Sequence, residues 1–88
     1  MATAIVLPDL GVDVSRLWIS CWLVEPGDSV EPGDRVVEVL ARGMTFDVAA
    51  PTAGHLSHVA KIVDSVIEPG DILGWIETGP EDDEDGPY

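Results

Sequence analysis

Few side chains in this sequence could do chemistry, and most of them lie in its second half. Ser57, His58 and Asp64 are the residue types of a nucleophilic triad, but nothing around them predicts an oxyanion hole or a pocket. His55 and His58, three residues apart on one strand, should point to opposite faces, and no cysteine lies beside them to complete a metal site. Lys61 is the only lysine, and a solvated lysine at a strand end is its simplest interpretation. We therefore expect neither catalysis nor metal binding.

The chain is strongly acidic. Its 88 residues include four basic and seventeen acidic side chains, which give a formal net charge of −13. Such a surface repels phosphate, so nucleic acids and anionic membranes are poor partners and basic protein surfaces are better ones, although the charge could simply provide solubility. Cys21 is the only cysteine, so no internal disulfide is possible and a reducing compartment is indicated. With no recognisable signal peptide or membrane-spanning stretch, we expect a cytoplasmic location.

Short alternating runs punctuated by Gly and Pro predict an all-β fold. The predicted strands lie at residues 4–7, 17–24, 35–40, 44–48, 55–62 and 72–76. We expect one monomeric domain over residues 1–79. Residues 80–88 contain five successive acids and no aliphatic side chain, which is typical of a disordered tail or the start of a linker.

An internal repeat organises the predicted strands. The tetrapeptide Glu-Pro-Gly-Asp occurs at 31–34 and again at 68–71, and a related turn lies at 25–28. Pro at the second position and Gly at the third suit a type II turn. Residues 28–30 before the first copy match residues 64–66 before the second, with one extra residue there. The repeat predicts two similar four-stranded halves packed into a flattened β-barrel or sandwich.

The centre of the chain predicts a hairpin with Arg42-Gly43 at its tip. A two-residue turn there gives five cross-strand pairs: Ala41 with Met44, Val39 with Phe46 and Val37 with Val48 on an apolar face, and Leu40 with Thr45 and Glu38 with Asp47 on the other. Gly43 fits a primed turn and Arg42 fits it less well, while Glu38 opposite Asp47 is mildly unfavourable.

Five motifs follow one another in a fixed order over residues 3–77: Leu7-Pro8-Asp9-Leu10-Gly11, Trp22-Leu23-Val24, Gly27-Asp28-Ser29-Val30, Val37-Glu38-Val39 and Asp47-Val48-Ala49-Ala50-Pro51 with Gly54. Their order and spacing resemble the lipoyl/biotinyl-attachment family, and most closely the lipoyl domains of dihydrolipoyl acyltransferases. The resemblance implies a flattened all-β domain that carries lipoyl or biotin on a lysine at the tip of the central hairpin.

This sequence departs from the family at the attachment position itself. Lipoyl domains have Asp-Lys-Ala at the tip and biotinyl domains have Met-Lys-Met, and the matching residues here are Arg42, Gly43 and Met44. Glycine has neither a nucleophile nor the flexible stem that a tethered cofactor needs. Since Lys61 does not fall at a hairpin tip, we expect no lipoyl or biotin cofactor on this chain.

A second departure lies in the loop before the second long strand, which sits beside the lysine hairpin in the family fold. The apolar residues Val12, Val14, Leu17 and Trp18 occur where relatives carry small and acidic ones. Exposed together they would form a partner-binding surface. The alternative is that Leu17 or Trp18 folds inward and fills space.

Three functions are compatible with these observations. The first is a cofactor-free docking or assembly module linked to a 2-oxoacid dehydrogenase or carboxylase system. The second is a lipoyl or biotinyl swinging-arm carrier of an acyltransferase, present as a lysine-less variant. The third is a structural domain of a larger enzyme. Gly43 and the altered loop favour the first.

Overall fold

The protein, described here by a computed structural model over residues 1–11 and 16–78, is all-β within those ranges, as the alternating runs predict. The eight strands are β1 (Ala2–Val6), β2 (Leu17–Trp22), β3 (Ser29–Val30), β4 (Arg35–Ala41), β5 (Met44–Ala49), β6 (Gly54–Val59), β7 (Val66–Ile67) and β8 (Ile72–Glu77). The six longer strands match the six predicted runs to within three residues at each end. In the part of the chain so described, no helix is long and apolar enough to cross a membrane.

The strands form two four-stranded antiparallel sheets. One has the order β1-β8-β6-β3 and the other β5-β4-β2-β7. Each sheet takes two strands from each half of the sequence, so the two halves interleave. Exchanging β1 with β5, β2 with β6, β3 with β7 and β4 with β8 converts one sheet order into the other. The internal repeat is therefore a pseudo-two-fold symmetry of the fold.

The repeat has a constant spacing in the structure. Strands β2, β3 and β4 begin 37 residues before β6, β7 and β8, respectively. Val30 and Ile67, each 2% exposed, therefore occupy equivalent core positions directly before the two Glu-Pro-Gly-Asp turns. The predicted match of residues 28–30 with 64–66 is wrong by one residue, because burial aligns the apolar side chains and needs no insertion.

The Glu-Pro-Gly-Asp turns adopt the expected type II signature. Their glycines, Gly27, Gly33 and Gly70, have φ values of 98°, 91° and 96°. In each turn the Asp N–H donates to the Glu carbonyl at 2.9–3.0 Å, and the Asp Oδ2 accepts from the Glu N–H at 2.8–2.9 Å. The closing aspartate thus satisfies a second backbone group, which explains why the repeat ends in Asp.

The core lies between the two sheets and is apolar throughout the described residues. Its largest fully buried members are Ile5, Leu7, Ile19, Leu56, Leu73, Ile76, Val30, Val36, Val37 and Val39. Burying each such side chain contributes about 1.5–3 kcal/mol. Trp22 packs against this core from its edge, and its indole Nε1 donates to the Lys61 carbonyl at 2.8 Å. This filled core holds the central hairpin in a fixed position.

Candidate functional site

The hairpin formed by β4 and β5 has the predicted register. All five predicted pairs are present, from Ala41 opposite Met44 at the tip to Val37 opposite Val48. The apolar face is buried at Val37, Val39 and Val48, whereas Met44 beside the tip is 46% exposed. On this face the hairpin is therefore buried as far as Ala41, which is 1% exposed, and Met44 reaches solvent beside the turn.

The turn at the tip differs from the predicted primed type. Gly43 has a φ of 77°, whereas Arg42 is not among the described residues with positive φ. A type I′ turn needs positive φ at both central residues and a type II′ turn needs it at the first, so neither describes this tip. Negative φ followed by positive φ is the type II pattern, which lets Arg42 stay in an ordinary conformation. Arg42 and Gly43 are both exposed.

The like charges behind the tip are compensated by other groups. Asp47, opposite Glu38, receives an ion pair from Arg35, with Nη1 and Oδ2 3.2 Å apart. The Cys21 Sγ donates to Glu38 Oε1 at 3.5 Å. Burial raises the pKa of the Cys21 thiol, and the hydrogen bond to Glu38 and the charges of Glu38 and Asp47 raise it further. We call the paired Glu38 and Asp47 the acidic row; it lies on the outer face of the sheet.

The apolar residues predicted to form a partner-binding loop do not lie together on one surface. Leu17 is 3% exposed and lies opposite Ala41 in the core, so its predicted place on a partner-binding surface is wrong. Alternation along β2 turns Leu17 toward the core between the two sheets, on the same side as the buried Ile19. Trp18 points outward and remains half-buried. Val12 and Val14 lie outside the described residues, as do Gly79 and the predicted acidic tail.

Trp18 lines a shallow groove on the outer face of this sheet. The groove has a volume of about 220 Å³ and is lined by Arg16, Trp18, Asp64 and Val66. Trp18 and Val66 are directly paired between β2 and β7, so their side chains lie side by side. Asp64 and Val66 are site residues that the sequence motifs did not predict. The internal repeat contains a signal for both. At the equivalent positions the first copy has Gly27 and Ser29, so Asp64 and Val66 are points at which the two copies differ.

The remaining reactive residues do not converge. A β-bulge at Ser57 shifts the register of β6 between Leu56 and His58, which brings His55 and His58 to the same face. The prediction that these two point to opposite faces is therefore wrong, although among residues 1–11 and 16–78 no three His, Cys, Asp or Glu side chains group to hold a metal. Ser57 Oγ donates to the Trp75 carbonyl at 3.2 Å.

Lys61 lies on the connection that follows β6, away from any hairpin tip. Its N–H donates to the Leu73 carbonyl at 3.1 Å, and its carbonyl accepts the Trp22 indole. Lys61 is half-buried. The backbone at Lys61 is thus held against the body of the domain, whereas a Cβ added to Gly43 at the tip would meet nothing within 4 Å.

Three comparisons relate this arrangement to known proteins. The profile of the Biotin_lipoyl family, described as "Biotin-requiring enzyme", matches residues 3–76. The dihydrolipoyllysine-residue succinyltransferase component of the 2-oxoglutarate dehydrogenase complex from Bacillus subtilis is 32% identical over 73 residues, covering 83% of this chain and 18% of the relative. The dihydrolipoyllysine-residue acetyltransferase component of the pyruvate dehydrogenase complex from Corynebacterium glutamicum is 27% identical over 81 residues, covering 92% and 12%. The chain thus spans less than a fifth of the length of these two curated relatives.

The fold also matches a solved structure. The lipoyl domain of the 2-oxoglutarate dehydrogenase complex from Azotobacter vinelandii superposes with a TM-score of 0.66 at 19% identity, covering 88% of this chain and all of that domain. At this identity the match concerns the fold alone, and it agrees with the two interleaved four-stranded sheets.

Proposed function

The chain belongs to the Biotin_lipoyl family, and from this membership we propose that it is a cofactor-free lipoyl-like domain that acts as a protein-docking or assembly module. The observation that carries the proposal is Gly43 at the tip of the β4–β5 hairpin. The family tethers its cofactor through a lysine amine, and glycine offers no such group. Lipoyl domains carry groups for catalytic partners and are not themselves catalytic, so without an arm the remaining role is recognition.

The backbone at the tip supports this proposal. A φ of 77° at Gly43 is a conformation that glycine adopts freely and that costs other residues about 1 kcal/mol or more. A lysine at this position would have to bear that strain or change the turn. The tip is therefore adapted to glycine in its backbone as well as in its side chain.

Lys61 is a poor substitute for the missing lysine. Hydrogen bonds on both sides of its peptide hold it against Leu73 and Trp22, so it does not project on a free turn. A swinging arm has to reach several active sites, and an attachment point on the body of the domain shortens that reach. We therefore assign Lys61 no cofactor.

The relatives suggest where such a module would work. Their names place them in 2-oxoacid dehydrogenase complexes. We propose that this domain is monomeric and docks on a component of such a complex, or of a carboxylase system, in the cytoplasm. Its formal net charge of −13 favours a basic protein surface as the partner and disfavours nucleic acid and anionic membrane.

The second candidate is a swinging-arm carrier that has lost its lysine by a single substitution. The retained hairpin register favours it, because the scaffold that presents the tip is intact from Ala41–Met44 to Val37–Val48. In that case the surface that a lipoate or biotin ligase recognises should also be intact.

Restoring the lysine separates the two candidates. The Gly43→Lys variant is co-expressed with a lipoate ligase or a biotin ligase, and its intact mass is measured beside that of Gly43→Arg, which has the same turn strain without an amine. The proposal predicts that both variants stay unmodified. Modification of Gly43→Lys alone would favour the lysine-less carrier.

Docking is tested by co-sedimentation. The native domain is mixed with purified 2-oxoglutarate dehydrogenase complex or with a purified biotin-dependent carboxylase and centrifuged. We expect the domain to appear in the pellet with one of them and to be released as salt is raised. Absence from the pellet with both assemblies would remove the proposed association.

A further inference from the structure

The two-fold repeat builds the same outward-facing row twice, with different chemistry. On the β4-β2-β7 sheet, Trp18 lies opposite Leu40 on one side and Val66 on the other; we call these three residues the apolar row. The positions 37 residues away are Glu77, His55 and Ser29, which are paired in the same way and form the polar row. One fold thus contains an apolar row and its own polar equivalent.

The comparison of the two rows shows that the fold does not require the apolar one. One inward neighbour of each row residue is buried in both halves: Ile19, Val39 and Ile67 beside the apolar row, and Leu56, Ile76 and Val30 beside the polar row. The core beneath the two rows is therefore similar at these three positions, whereas Gly54 stands where the first half has the buried Leu17. Since Ser29, His55 and Glu77 occupy the outward positions of one sheet, the strands do not need apolar side chains there, and an exposed apolar patch of this kind is typical of a binding surface.

The turn beside the apolar row is also more apolar than the equivalent turn in the first half of the chain. Residues 62–65 match the turn at 25–28, and the Ser65 N–H donates to the Ile62 carbonyl just as the Asp28 N–H donates to Glu25. Ile62 and Val63 stand where the first copy has Glu25 and Pro26. Their side chains are 69% and 48% exposed, and that of Val66 is 60% exposed.

The charges around the apolar row are mostly negative. Glu38 and Asp47 form the next row along the same face, and Asp64 lines the groove beside Trp18 and Val66. Two basic groups lie among these carboxylates: Arg16, which lines the groove, and Arg35, which is paired with Asp47. The three carboxylates exceed the two guanidinium groups by one negative charge, and with a formal net charge of −13 on the chain this face favours a basic partner.

We propose that the apolar row docks a protein segment that presents an aromatic or aliphatic side chain next to a lysine or arginine. The apolar side chain enters the groove of about 220 Å³ that Trp18 and Val66 line, and the basic group lies against Asp64 or the Glu38–Asp47 row. This inference deepens the proposed docking function and rests on it, and it places docking on a sheet face rather than on the hairpin tip.

The test uses immobilised synthetic peptides of defined chemistry. Each peptide has one central Trp, Leu or Ser, flanked either by Lys and Arg or by Asp and Glu. We expect binding only to peptides that combine an apolar centre with basic flanks. In ¹⁵N-labelled domain, the bound peptide should shift the amide signals of Trp18, Asp64 and Val66 and leave those of Ser29 and His55 in place.

The repeat supplies matched variants. Trp18→His and Val66→Ser install the residues that the fold already accepts in the other half, and each should weaken peptide binding about tenfold or more. Ser29→Val, on the polar row, should leave binding unchanged. Urea denaturation of each variant checks that it is folded.

Two results would overturn the inference. The first is equal binding by the native domain, Trp18→His and Val66→Ser. The second is preference for acidic or Ser-centred peptides. If these variants co-sediment with a purified assembly as well as the native domain does, docking stands and this surface is wrong, whereas absence of the native domain from both pellets contradicts docking itself.

Discussion

Asp64 adopts in the second half of the repeat the same left-handed backbone conformation that Gly27 adopts in the first. Their φ values are 74° and 98°. The Asp64 N–H donates to the Ile19 carbonyl at 2.9 Å, and the Gly27 N–H donates to the equivalent Leu56 carbonyl at 2.7 Å. Asp64 is the one residue other than glycine with positive φ in the described ranges, and it lines the groove beside Trp18. Backbone strain therefore coincides with the proposed docking surface.

Relieving this strain should stabilise the domain. We expect Asp64→Gly to raise the free energy of unfolding by about 0.5–1 kcal/mol, because relief of the left-handed strain exceeds the added entropy of glycine in the unfolded chain. Urea denaturation followed by tryptophan fluorescence measures the change. Asp64→Ala keeps the strain and serves as the control. A Gly variant no more stable than the native chain would contradict the account.

The turn aspartates should stabilise the domain through their side-chain oxygens. Asp34→Ala removes the acceptor that lies 2.8 Å from the Glu31 N–H, and we expect a loss of about 1 kcal/mol. Asp34→Asn retains a carbonyl oxygen and should lose less than half as much. Chemical denaturation of the two variants checks this order, and equal losses would show that the hydrogen bond does not matter.

Replacement by alanine should lower the stability of the domain much more at Gly54 than at Gly43. A Cβ at Gly54 would overlap the Glu77 backbone oxygen and come within 2.8 Å of Ile76 Cγ2, whereas a Cβ at Gly43 meets nothing within 4 Å. We expect Gly54→Ala to cost about 3 kcal/mol or more and Gly43→Ala about 1 kcal/mol, from backbone strain alone. Thermal unfolding of both variants gives the comparison, and similar losses would contradict the close approach of β6 to β8.

The pH at which the Cys21 thiol becomes reactive should depend on the charges of Glu38 and Asp47. Its pKa is raised first by burial and then by Glu38 and Asp47, so alkylation by iodoacetamide should become fast only above the ordinary pH range of a thiol. Because the folded state favours the protonated thiol, Cys21 should lower the stability of the domain as pH rises through the thiol range.

The variant Glu38→Gln isolates the contribution of the row. It removes one charge, so the pH at which alkylation of Cys21 is half-maximal should fall, while Glu25→Gln in a distant turn should not move it. Unchanged pH profiles for both variants would mean that burial alone sets the thiol pKa.

Much of this fold follows from local chemistry. Alternation fixed the register of the β4–β5 hairpin, because a slip by one residue would have moved Val37 and Val39 out of the core. The Pro-Gly pairs predicted the positive φ values at Gly33 and Gly70, since Pro favours the second turn position and Gly tolerates the third. Both inferences need only the nearest neighbours in sequence.

The features that escaped prediction depend on distant partners. The bulge at Ser57 arises where β6 pairs with β8, and no local pattern marks it, so the faces of His55 and His58 were wrongly predicted. Leu17 and Trp18 are both large and apolar, and which of them is buried depends on which face of β2 the other sheet packs against. The two-residue strands β3 and β7 are too short for alternation to reveal them.

The central claim is that this chain carries no tethered cofactor, and the mass of the unaltered protein tests it most directly. The native chain is co-expressed with a lipoate ligase and a biotin ligase, each with its cofactor supplied, and an authentic lipoyl domain is processed in parallel. The account predicts full modification of the authentic domain and the unmodified polypeptide mass for this chain. An increase by one lipoyl or biotinyl group on the native chain would contradict it.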